Sequence, residues 1–184
     1  MLKTWVVILS CIILCTSRTA IPIALRAFKQ TAYRKTKIDM NKDASTSFNK
    51  NILVTGGSGY IGVHTIVSLV EAGYNVTVVD NLVNSSPEGL RRVPEITGCS
   101  PDQITFFQVD LCDKSALEEV FQKSPKFGAC IHFAALKAVG ESVAKPLLYY
   151  ENNLLSTVNV LNLMEKYGCH TFLFSSSATV WTNL

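Results

Sequence analysis

The chain has 184 residues, 48% of them apolar, which is enough for one domain with a real core and too few for two. Its net charge of +3 is unevenly placed: seven basic and no acidic residues precede Asp39, leaving ten basic against fourteen acidic residues for the rest. A mildly acidic folded part argues against a nucleic-acid partner, which would need a basic face on the domain itself.

The first twenty residues, MLKTWVVILSCIILCTSRTA, start basic, run apolar from Trp5 to Cys15 and end in small residues, the shape of a secretory signal peptide. The apolar run is too short to span a bilayer, which takes ~20 residues. The longer leader is also rich in Arg, Lys, Ser and Thr and free of acids, as organelle transit peptides are. A third reading is an incidental stretch upstream of an ordinary cytosolic protein. A cytoplasmic location is expected on that reading, and the secretory pathway or a membrane on the first. Met40 to Asn49 is polar and reads as a linker. Residues 1–49 are therefore set apart as leader and linker, and residues 50–184 as the domain.

Asn51 to Thr55 is a short β-rich run leading into GGSGYIG. Apolar residues then recur at helical spacing from Ile61 to Val70, and Gly73 stops that helix. Val76 to Val79 is a second strand ending in Asp80, parallel to the first with a right-handed crossover. Asn84 to Pro101 reads as a long loop. Ile104 to Val109 is a third strand ending in Asp110. A helix follows, with Ser115 and Glu118 as a capping box and Leu117, Val120 and Phe121 on its apolar face. Ala129 to Phe133 is a fourth strand. Leu154, Leu155, Val158, Leu161 and Met164 form a helix stripe closed by Gly168, and Thr171 to Phe174 is a fifth strand. Apolar strands alternating with amphipathic helices specify an α/β fold, a Rossmann-like doubly wound parallel sheet.

Among the six cysteines no C-x-x-C pair occurs, and Cys130 and Cys169 sit in apolar runs as small core residues. His64, His132 and His170 lack partners at metal spacing, so no metal site is expected, and a core or surface role falls to each. The glycine loop is more informative. Gly57, Gly59 and Gly62 match G-x-G-x-x-G; Gly56, Gly59 and Gly62 match a G-x-x-G-x-x-G variant. Either way the glycines permit a tight turn, backbone approach to a pyrophosphate, and close packing of helix on strand. The helix start offers unpaired N–H groups to phosphates. The loop follows a strand and opens a helix, the context this motif requires. Asp80, at the tip of the next strand, is placed to accept both ribose hydroxyls and to repel a 2′-phosphate, favouring NAD over NADP.

The stretches ILVTGGSGYIG, VVDNLVNSS, HFAALKAVGESVAKPLLYYENN and FLFSSSATV resemble the UDP-glucose 4-epimerases, extended short-chain dehydrogenase/reductases, from Lys50 to about Val180. The resemblance implies a tightly held NAD, removal of hydride from sugar C4 to give a 4-keto intermediate, and return of that hydride to the opposite face. It places Gly56, Gly59, Tyr60, Ile61 and Gly62 at the pyrophosphate and Asp80, Asn81, Leu82, Asn84 and Ser85 at the adenosine ribose. It likewise places Asp110 and Leu111 at the adenine, and Phe133, Ala134, Ala135 and Lys137 over the cofactor. Asn152 either faces the cofactor or, with Asn153, starts a helix. Ser177 would hydrogen-bond the reacting sugar oxygen as the catalytic serine, with Thr179 beside it in the UDP-sugar site.

In the family the proton goes to a tyrosine of a Y-x-x-x-K pair downstream of these serines. A free phenol, with pKa near ~10, is a poor base at neutral pH without that cation. Here Y-x-x-x-K occurs only as Tyr33 and Lys37 in the leader, a chance spacing. WTNL stands where Tyr-Gly normally follows ATV. The chain is therefore expected to be a truncated product that keeps the NAD-binding portion and lacks the base, the carboxy-terminal part of the fold and the sugar-binding domain. Such a chain would leave the fifth strand with an open edge. It would also lack the helix the family uses for its homodimer. Rival readings are a dehydratase of nucleotide sugars and a non-catalytic NAD-binding module.

Overall fold

The structure is a computed structural model that describes the backbone of Trp5–Ser10 and all of residues 49–176. Ser177, Thr179 and the Tyr33–Lys37 pair lie outside the described residues. The strands are β1 (Trp5–Ser10), β2 (Asn51–Thr55), β3 (Asn75–Asp80), β4 (Ile104–Gln108), β5 (Ala129–His132) and β6 (Thr171–Ser176). The helices are α1 (Tyr60–Glu71), α2 (Glu88–Thr97), α3 (Lys114–Lys123), α4 (Val139–Ala144) and α5 (Pro146–Lys166).

All neighbouring strands pair in parallel, in the order β1-β6-β5-β2-β3-β4. The chain runs outward from β2 through β3 to β4, then returns to the other side of β2 for β5 and β6. The order thus reverses between β2 and β5, where Thr55 pairs with His132 at the carboxyl ends. Open α/β sheets bind ligands at such a switch point.

Strands buried on both faces require two cores, and two form. On one side Leu53, Cys130 and Phe172 pack with Leu117, Val120 and Phe121 of α3 and Val160, Leu163 and Met164 of α5. On the other, Ile52, Val54, Val76 and Val78 pack with Ile66, Leu69 and Val70 of α1 and Leu90 and Val93 of α2. Cys130 and Cys169 are buried free thiols, as expected. Burial raises both their pKa values, that of Cys169 to about 11.

The structure departs from the sequence expectations at four places. Residues 88–97 form α2 rather than loop: Leu90 and Val93 bury against α1's core, Glu88 pairs with Arg92 one turn on, and Gly98 ends the helix at φ 67°. No capping box opens α3; Asp113 Oδ1 accepts from the N–H groups of Ser115 and Ala116, both at 3.0 Å. Asn152 and Asn153 do not start a helix but lie inside α5, which begins at Pro146. Finally, β1 comes from the stretch set aside as leader, and its pairing with β6 from Trp5↔Thr171 to Ser10↔Ser176 occupies the edge expected to be open.

Several polar side chains are buried in this apolar frame, and His132 is the one among them with an imidazole to satisfy. His132 is buried, with Nδ1 2.7 Å from Thr55 Oγ1 and Nε2 3.1 Å from Thr157 Oγ1. Thr157 spends its hydroxyl proton on Asn153 O at 2.8 Å, so its oxygen accepts from His132 Nε2–H, and Thr55 donates to Nδ1. Burial lowers the imidazole's pKa from 6.5 to about 4.

Two outcomes follow from this packing. Leu163→Ala, which opens a hole beneath α5, is expected to cost about 2–5 kcal/mol in urea unfolding at constant m-value. For His132, the unfolded chain takes up a proton below pH 6.5 but the folded chain only near 4. The stability present above the higher value is therefore lost as pH falls through the lower one. The loss is about 3 kcal/mol relative to His132→Gln, read from paired unfolding curves across that window.

Candidate dinucleotide site

The site forms where the switch point meets the start of α1. Residues 56–59 turn the chain from β2 into the helix: Gly56 N–H donates to Val79 O at 2.8 Å, and Val63 N–H closes the first helical bond on Gly59 O at 2.9 Å. Gly56 has φ 67°, and a Cβ there would lie 2.6 Å from Ala134 N. At Gly62 a Cβ would lie 2.6 Å from both Gly57 Cα and Gly57 O. Backbone therefore packs on backbone at both positions, which only glycine allows.

Gly59 is the N-cap of α1, so no side chain caps the helix, and no acidic residue stands in its first turn. The first amides, at Tyr60, Ile61 and Gly62, are left to an external acceptor, with the positive end of the helix dipole behind them. Beside them, Ser58 Oγ is buried and has no hydrogen-bond partner. An uncapped helix start, an orphaned hydroxyl and a glycine cradle fit a pyrophosphate.

Asp80, at the end of β3, is buried and ties the site together. Its Oδ2 accepts from Ser58 N–H at 3.0 Å; its Oδ1 accepts from Leu82 N–H at 2.9 Å and Ser85 Oγ at 2.8 Å. A carboxylate has about four acceptor positions, so about one remains for a ligand, on Oδ2, unless Ser85 turns away. This is narrower than the expected acceptance of two ribose hydroxyls. Leu82 follows with φ 62°, the one positive φ among described residues other than glycine. Asn81 Nδ2 reaches Asp110 Oδ2 at 3.4 Å, linking the tips of β3 and β4.

Most of the residues singled out from sequence thus gather at one edge of the sheet. Gly56 to Gly62 form the turn, Asp80 to Ser85 one wall, and Asp110 the next strand's tip. Phe133, Ala134, Ala135 and Lys137 follow β5. Leu111 departs from this grouping: its side chain is buried in the α3–α5 core, and its carbonyl accepts from Asn159 Nδ2 at 2.9 Å. Asn152 is half-buried on α5, with Nδ2 donating to Asn153 Oδ1 at 3.0 Å and Cys112 Sγ 3.8 Å from its Oδ1. Burial first, then the Asp110 charge, raises the Cys112 pKa. Sequence reasoning missed the hydrogen-bonding roles of His132, Thr157 and Asn153. The signal available was the recurrence of Tyr149, Asn153 and Thr157 at every fourth position of α5.

Residues 52–183 match the NAD dependent epimerase/dehydratase family. The chain is 56% identical to UDP-glucose 4-epimerase 2 of Arabidopsis thaliana over 132 residues, 72% of this chain and 37% of that one. It is also 56% identical to the Bacillus subtilis UDP-glucose 4-epimerase over 130 residues, again 37% of that protein. It resembles the solved Bifidobacterium longum UDP-glucose 4-epimerase in complex with NAD+ and UDP, with TM-score 0.66 and 48% identity over 71% of this chain and 38% of that one. The chain therefore spans little more than a third of the length of these relatives. With a switch-point sheet, a glycine cradle and that match over most of its length, the chain belongs to the NAD dependent epimerase/dehydratase family.

Proposed function

We propose that these residues are the NAD-binding portion of a UDP-glucose 4-epimerase, which interconverts UDP-glucose and UDP-galactose through a 4-keto sugar. The observation that carries the reading is the union of the uncapped α1 start with the buried Asp80 at the tip of β3. NAD, when bound, would supply the acceptor, and then the donor, of the hydride exchanged with sugar C4. The chain's own groups hold and orient. The amides of Tyr60 and Ile61 meet the pyrophosphate. Asp80 Oδ2 accepts a ribose hydroxyl, and Ser85, whose hydroxyl can rotate off Oδ1, opens a second position. The same carboxylate repels a 2′-phosphate. Lys137, exposed and free of ion pairs among the described residues, supplies positive charge beside the cofactor. Ser177 and Thr179 are assigned to the sugar.

Taken alone, the 184 residues hold no Y-x-x-x-K pair after β6 and are expected to bind without turnover. No helix among the described residues is long and apolar enough to cross a membrane. The purified chain should give a calorimetric signal with NAD, bind NADP at least about tenfold more weakly, and convert no UDP-galactose. A silent titration with NAD would remove the reading. Conversion to UDP-glucose would overturn the missing-base argument, and formation of a 4-keto-6-deoxy sugar would point to a dehydratase.

A second feature supports a protein contact. Val139, Val143, Leu147, Leu154 and Val158, along α4 and one face of α5, are each between 50% and 74% exposed. So many exposed apolar side chains on two neighbouring helices are unusual on a soluble monomer. A second copy of the chain is its proposed occupant, even though the helix assigned to the family's dimer contact is not among these residues. Sedimentation should show concentration-dependent self-association that Leu154→Glu abolishes; a monomer at all concentrations would refute it.

A further inference from the structure

The loop after β5 is held by a column of three polar residues on α5 to which no role in cofactor binding has been given. Tyr149, Asn153 and Thr157 lie four residues apart, so they stack on one face of the helix. Thr157 meets His132 at the end of β5. Asn153 grips both backbone groups of Leu136: Leu136 N–H donates to Oδ1 at 2.8 Å, and Nδ2 donates to Leu136 O at 3.0 Å. Tyr149 meets the backbone two residues on. Its oxygen accepts from Ala138 N–H at 3.1 Å and lies 3.0 Å from both Ala138 O and Glu141 Oε2, to either of which its single proton goes. Alternate residues of an extended segment present their backbone groups to the same side. Leu136 and Ala138 therefore face α5, and Lys137 is the residue pinned between them.

Resting on the NAD-binding reading above, we propose that Tyr149 and Asn153 are positioning residues that hold Lys137 at the mouth of the dinucleotide site. A long, flexible lysine side chain loses entropy when it meets a ligand, and fixing its backbone on both sides removes part of that cost in advance. The spacing on the helix and the spacing on the loop match only if the segment is extended, so the column sets the loop's shape as well as its place. The Thr157–His132 contact anchors the lower end of the same column on the sheet.

Two measurements on the full chain test this. In the ligand-free protein, Asn153→Ala should speed amide exchange at Leu136, and Tyr149→Phe at Ala138, each by at least about tenfold, while β5 amides stay protected. In NAD titrations, Asn153→Ala, Tyr149→Phe and Lys137→Ala should each weaken binding by about five- to tenfold. When combined with Lys137→Ala, either of the other two should add less than about twofold, because both act through that lysine. Effects that multiply in the double variants would show a merely structural role and overturn the proposal, as would variants that bind NAD like the parent. Should Asn153→Ala fail to fold, Tyr149→Phe, an exposed hydroxyl removal, carries the same test. If the parent chain gives no signal with NAD, the functional reading fails and Lys137's part with it. Unchanged exchange rates in the variants would instead show that the latch does not exist.

Discussion

The structure depends on backbone meeting backbone at Gly56. Strands β2 and β5 are neighbours that diverge into different loops, and the first residue past β2 packs against the peptide joining Phe133 to Ala134. A methyl group there would overlap three main-chain atoms that cannot rotate away. Because that contact is close, the start of α1, the tip of β3 and the loop after β5 all converge on one small volume. Asp80 and His132 then fix the convergence from opposite sides. Asp80 binds the turn to β3 through Ser58 N–H, and His132 binds β2 to β5 and α5 through two threonines.

These two polar groups solve the problem of burial in different ways. The carboxylate is surrounded by partners, two backbone N–H donors and a hydroxyl. The imidazole gives up its charge altogether, because no anion balances it in the apolar frame and both ring nitrogens find neutral partners. Near the carboxylate the backbone also carries strain. Leu82 holds a left-handed conformation that costs about 1–2 kcal/mol for a residue with a Cβ. Its N–H to Asp80 Oδ1 is the contact that holds it there. Strain of this kind concentrates where a chain must present a particular surface, and here it shapes the wall assigned to the ribose.

The legible parts of this fold were those written in period and punctuation. The five strands from β2 onward stand within two residues of the apolar runs that announced them, and α1 lies between its glycine loop and Gly73 because both ends are sequence signals. The glycine turn and Asp80 stand together, as the spacing of the motif led one to expect of their placement. α2 was hidden because only Leu90 and Val93 bury, while Pro87, Gly89 and Pro94 carry the marks of a loop. Tertiary contact with α1 overrides them; Gly89 lets the helices approach, since a Cβ would come within 2.9 Å of Val63 Cγ2. β1 was hidden for another reason: an apolar run before a polar linker has several uses, and only the vacant edge of β6 selects pairing.

The column on α5 was illegible for a reason that applies more widely. Sequence patterns report which face of a helix is apolar, and α5 confuses that signal by being apolar on two faces, one in the core and one exposed. Tyr149, Asn153 and Thr157 continue the stripe of buried Ser156, Val160 and Met164 toward the start of the helix, where it passes the end of β5. A residue there must satisfy loop backbone where the rest of the stripe meets apolar core. Asn and Tyr meet that demand because each offers a donor and an acceptor at a fixed reach. The loop they grip has no secondary structure of its own between β5 and α4, so its backbone groups would otherwise turn to water and its path would be free. A helix whose main work is to cover the sheet therefore also sets the course of a site loop, through Tyr149 and Asn153.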